Sequence, residues 1–111
     1  MTNYNVARVA RAAIGAYQQT IGDPRSPDLE TAPDWHRESV LAGVETARTV
    51  AGPAEQHEAW MRWHLARGWA FGPTRDETAR THPNLRPWAE LPPEQQAKDR
   101  LFRGVVLALT A

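Results

Sequence analysis

The sequence predicts an all-α fold of two pseudo-repeated helical hairpins, about four main helices, packed face to face. Three observations carry this. Apolar residues recur at helical spacing in four separate stretches. Glycine or proline marks the ends of those stretches. The order helix, proline-bearing loop, helix occurs twice.

The first helix is expected from about Tyr4 to Ile21, with Val6, Val9, Ala13, Ala16 and Tyr17 at helical spacing, Asn3 as cap and Gly22 as left-handed stop. A breaker cluster, Asp23-Pro24-Arg25-Ser26-Pro27, follows. The second helix is expected to start near Thr31-Ala32-Pro33-Asp34, because threonine with an acidic residue three positions on is a capping-box pattern. Its apolar face is Val40, Leu41, Val44 and Ala47. Gly52-Pro53 opens the third helix, with Trp60, Met61, His64 and Leu65 on one side and Gly68 as its stop. Residues 69–93 show no sustained period and carry Trp69, Phe71, Trp88 and several prolines, so aromatic packing is expected to order them. Pro92-Pro93-Glu94 starts the last helix, whose face is Leu101, Phe102, Val105, Val106 and Leu109.

The second helices of the two halves can be superposed in sequence. Arg37-Glu38-Ser39-Val40 lies over Lys98-Asp99-Arg100-Leu101, and Gly43-Val44 over Gly104-Val105. This divides the single 1–111 domain into half-repeats at 1–52 and 53–111.

Composition narrows the function classes. The 111 residues form one domain's length, enough for a single core. There are no cysteines, which removes disulfides and thiolate sites and fits a cytoplasmic setting. The N-terminal segment has no apolar h-region, and no apolar run approaches a membrane span, so neither a secretory signal nor a membrane role is expected. Thirteen basic residues balance thirteen acidic ones, which argues against binding long nucleic acid. Five tryptophans suit either a dense core or a stacking surface.

Little points to chemistry of bond-making. His57-Glu58-Ala59-Trp60-Met61 is not the H-E-x-x-H zinc motif, and Ser26 and Ser39 lack a glycine-flanked elbow. No catalytic residue, metal or cofactor is expected. His57 and His82 read as hydrogen-bonding residues of the irregular segment rather than zinc ligands. Gly68-Trp69-Ala70-Phe71-Gly72 is the strongest functional signal. If the turn is extended, Trp69 and Phe71 share a side and form a wall for a planar ring; alternatively both plug the core. Arg75, Lys98 and Arg37 are candidate anion partners.

Read together, His57-Glu58-x-Trp60, Gly68-Trp69-x-Phe71-Gly72, Arg75-Asp76, His82-Pro83-x-Leu85, Pro87-Trp88, Leu91-Pro92 and Lys98-Asp99 resemble the ryanodine receptor repeat, the RyR domain. The first half looks like the divergent leading unit of small bacterial and phage members, with Arg11-Ala12 where a His-Glu pair would stand. The resemblance implies paired helical hairpins and a regulatory, non-enzymatic role, with an adenine nucleotide or nucleotide-derived messenger between the halves. The ligand would lie against Trp69, Phe71 or Trp35, near Arg75, Lys98 and Arg37, with His57 and His82 beside it. The alternative is a protein-interaction or homodimerisation module built on exposed tryptophans.

Overall fold

A computed structural model describes residues 1–111. Four helices dominate: α1 (Asn3–Ile21), α2 (Asp34–Thr49), α3 (Pro53–Leu65) and α4 (Pro93–Thr110). Two short strands, β1 (Ala70–Phe71) and β2 (Thr81–His82), pair in parallel, Ala70 opposite Thr81 and Phe71 opposite His82. A single 3-10 turn spans Trp88–Glu90. The all-α expectation holds, with this small ribbon inside the segment expected to be irregular. No helix is long and apolar enough to cross a membrane.

Helix ends follow local chemistry, with two corrections. The Thr2 side chain, not Asn3, caps α1 by accepting from Asn5 N at 3.1 Å. The Thr31 capping box does not form. Thr31 Oγ1 instead donates to Asp28 O, and α2 starts at Asp34 after an uncapped Pro33. A proline there fixes an extended entry and leaves no side-chain acceptor. Gly22 and Gly68 both have positive φ (77° and 85°), the left-handed geometry that closes a helix without a Cβ penalty. Pro53 and Pro93 occupy first turns, where a missing N–H costs nothing.

Within each hairpin α1 packs on α2 and α3 on α4. Across the hairpins α1 meets α4, α2 meets α3, and α2 crosses α4. Exchanging the two hairpins maps this set of contacts onto itself. The core lies in the α1–α2–α4 seam: Val6, Ala7, Ala10, Val40, Val44, Ala47 and Val106 are buried there, with Leu29 inserted from the loop. Small residues on α1 let α4 approach closely, and Phe102, Leu41, Val105 and Leu109 pack on the margin. The aligned glycines are not equivalent. Gly43 faces the Phe102 ring, whereas Gly104 is exposed with nothing opposite it.

Candidate ligand-binding site

Helix α3 contributes no buried aliphatic side chain. Its buried residues are Gln56, His57 and His64, and the apolar face expected there fails at Leu65, which is 55 % exposed. His57, Trp60 and His64 recur at helical spacing and share one face. That face borders a cavity of about 400 Å³ between the two hairpins, within the size range of small-molecule sites.

One wall is aromatic. The Trp35 ring, from the first turn of α2, lies 5.2 Å from Trp69 and stacks on Trp63 at 6.4 Å. His64 meets Trp60 at 4.3 Å and Trp69 at 5.3 Å between ring centres. A second recess of about 310 Å³ shares Trp35, Trp63, Trp69 and Glu77 with the first and has Arg67 and Arg80 on its outer side. There the Arg67 guanidinium sits 3.7 Å over Trp63.

The histidines are fixed by their partners. His64 Nδ1 donates to Trp60 O at 2.9 Å, and His57 Nε2 donates to Arg86 O at 2.7 Å, with Asp99 Oδ2 3.4 Å from Nδ1. His82 Nδ1 accepts from Asn84 N at 3.0 Å. Arg11 donates to His36 Nδ1, which leaves Nε2 as the donor to Glu77 Oε1 at 2.9 Å. Burial lowers the pKa of His36, His64 and His82, the last to about 3, so all three are neutral near pH 7. No three His, Asp or Glu side chains are grouped as metal ligands.

Basic side chains line the cavity as well. Lys98 from α4, Arg11 from α1 and Arg75 from the β1–β2 connection all line the cavity. Arg75 also spans to the first hairpin, donating to Pro24 O at 2.6 Å and Ser26 Oγ at 3.4 Å. Gln18 pins that loop by bonding both the Ser26 backbone N–H and its hydroxyl.

Of the residues expected at the site, Trp35, Trp69, Arg75, Lys98, His57 and His82 line this cavity. Phe71 and Arg37 do not. Trp69 closes α3, its N–H bonding His64 O while Gly68 N bonds Leu65 O, which turns its ring back beneath the helix. Phe71 belongs instead to the ribbon and is 58 % exposed, 6.0 Å from the Arg86 guanidinium. The shared wall of Trp69 and Phe71 therefore does not form; Trp35 and Trp63 take that place. Arg37 donates to Leu29 O and Ala32 O at 2.7 and 2.8 Å and pairs with Asp34, clipping the loop to α2. It lies three residues into α2, whereas Lys98 lies five residues into α4. At 100° per residue, two positions rotate the side chain by roughly 200°.

Sequence reasoning missed Arg11, His36, Gln56, Trp63 and Glu77. For Arg11 a signal existed: it falls on the stripe Ala7, Ile14 and Gln18, all buried. Trp69 is buried and the other four tryptophans are partly buried. The RyR domain family model matches residues 44–108, which cover the end of α2, the ribbon, α3 and most of α4. That is more than half of the sequence, and the chain belongs to the RyR domain family.

Proposed function

We propose that the protein is a non-enzymatic module that binds a nucleotide or nucleotide-derived signalling molecule between its two hairpins, acting in the cytoplasm. The observation that carries this is the cavity itself: clustered tryptophans and basic side chains line one space of small-molecule size. A purine stacked on Trp35 and Trp69 would gain about 1–3 kcal/mol per base. Its phosphates would then point toward Lys98 and Arg75.

The engaged groups favour binding over catalysis. His57 and His36 have both ring nitrogens facing protein groups. Ser26 contacts Gln18 and Arg75 rather than a base. Differential scanning fluorimetry with adenine nucleotides, ADP-ribose species and cyclic mono- and dinucleotides tests the proposal. At least one class should raise the melting temperature, and a flat response across the panel at millimolar ligand would refute it.

A further inference from the structure

Three cations line the cavity without a single ion pair among them. Arg11 bonds only neutral acceptors, Pro27 O at 2.9 Å and His36 Nδ1. Arg75 bonds Pro24 O and Ser26 Oγ. Lys98 Nζ has neither a hydrogen-bond nor an ion-pair partner in the protein. Four carboxylates lie near this cluster, and two of them, Glu77 and Asp99, line the cavity and offset part of its charge. Asp23 accepts from Gln95 at 2.7 Å, Asp28 pairs with Arg25 at 3.3 Å, Glu77 with His36, and Asp99 faces His57.

Arg11 and Lys98 are partly buried, and holding like charges together with reduced access to water is unfavourable in the protein alone. Burial is the main influence that lowers the Lys98 pKa; Asp99 and Asp23 oppose it, while Arg75 and Arg11 push it further down. Arg11 is lowered to about 10, by burial first and then by Arg75, with Glu77 and Asp28 opposing. Arg25 also lines the cavity, so four lining cations outnumber the two lining carboxylates, Glu77 and Asp99. A compact ligand group carrying two or more negative charges would balance that surplus of two positive charges.

We infer that Lys98, Arg11 and Arg75 form a subsite for a phosphate or diphosphate group of at least two negative charges, bridging the two hairpins. Lys98 comes from the second hairpin and Arg11 from the first, so occupation ties the halves together. Arg75 stands at the mouth, where it is exposed and can exchange the Pro24 carbonyl for a phosphate oxygen. The inference takes only the location of the ligand from the nucleotide reading, since the charge requirement is independent of any base.

Isothermal titration and thermal melting with inorganic pyrophosphate, in phosphate-free buffer at constant ionic strength, provide the test. Pyrophosphate should bind and raise the melting temperature, with an affinity that falls steeply with added salt. Lys98→Met should weaken it by at least about tenfold while leaving the melting temperature of the free protein equal or higher, because an unpaired ammonium has been removed. Arg75→Gln, at an exposed position, should also weaken it. No pyrophosphate binding, or an affinity unchanged in both variants, would overturn the subsite. Adenosine run in parallel separates the two readings. Pyrophosphate binding without adenosine binding keeps the subsite and removes the base wall; the reverse removes the subsite and keeps the wall.

Discussion

The seam between α1, α2 and α4 and the cavity beside α3 are both buried, yet they are built from opposite materials. The seam is aliphatic and closed, with Val6, Val44 and Val106 fully buried and no polar side chain among them. The cavity is lined by tryptophans, histidines and charged side chains, among them Arg11, Arg75 and Lys98. Burial of aliphatic surface stabilises a fold by about 25 cal/mol per Å² without directional demands. Buried polar groups must each find a partner, and some here do not: Gln56 Oε1 is buried with no hydrogen-bond partner. The difference teaches that α1, α2 and α4 meet in the seam while also lending side chains to the cavity, whereas α3 and residues 69–82 contribute to the cavity and not to the seam. The family match at 44–108 covers α3 and the ribbon together with most of α4.

The largest effect should come from the seam. Leu29 is fully buried there, so Leu29→Ala should cost about 2–5 kcal/mol in chemical denaturation. Ligand affinity, measured below the unfolding transition, should be unchanged; a large loss would mean that the two regions are not separate. Acidification should strike the cavity instead. His36, His64 and His82 have folded pKa values below the 6.5 of an unfolded chain. The unfolded state therefore binds more protons below that pH, and stability present above it is lost as pH falls. The melting temperature should drop on the order of 5 °C per pH unit between about pH 6 and about pH 4. A melting temperature that stays flat or rises on acidification would contradict buried neutral histidines.

The two residues outside the cavity sharpen the boundary. Arg37→Ala frees two loop carbonyls and should cost about 1–3 kcal/mol with no loss of affinity. Phe71→Ser should change stability by less than about 0.5 kcal/mol and leave ligand affinity intact. A Phe71→Ser variant that no longer binds would return the phenylalanine to the wall.

How much of this was legible in the sequence divides along the same line. The helices were readable because Gly22, Gly68, Pro53 and Pro93 punctuate them by backbone geometry alone. The aliphatic faces of α2 and α4 were readable because a repeated apolar spacing implies burial. Leu29 was not, since a lone leucine in a polar loop has no period. The site was half readable. Trp35, Trp69, Arg75, Lys98, His57 and His82 were identifiable from residue type and motif, whereas the direction of Phe71 depended on where the α3 stop ends and the ribbon begins. Arg11 and His36 stayed hidden because their roles come from a contact between helices 25 residues apart in sequence. Arg37 misled because matching letters in two helices does not match their distance from the helix start.

The central claim is that the tryptophan wall is a ligand surface. A tryptophan fluorescence titration with the nucleotide giving the largest thermal shift tests it most directly. Ligand should change the emission saturably in the wild type and in Trp88→Leu, which lies outside the cavity beside His57 and Arg100. The response should be lost in Trp69→Leu while circular dichroism still reports a helical fold. A folded Trp69→Leu protein that binds with wild-type affinity, or a response that disappears in Trp88→Leu instead, would contradict it.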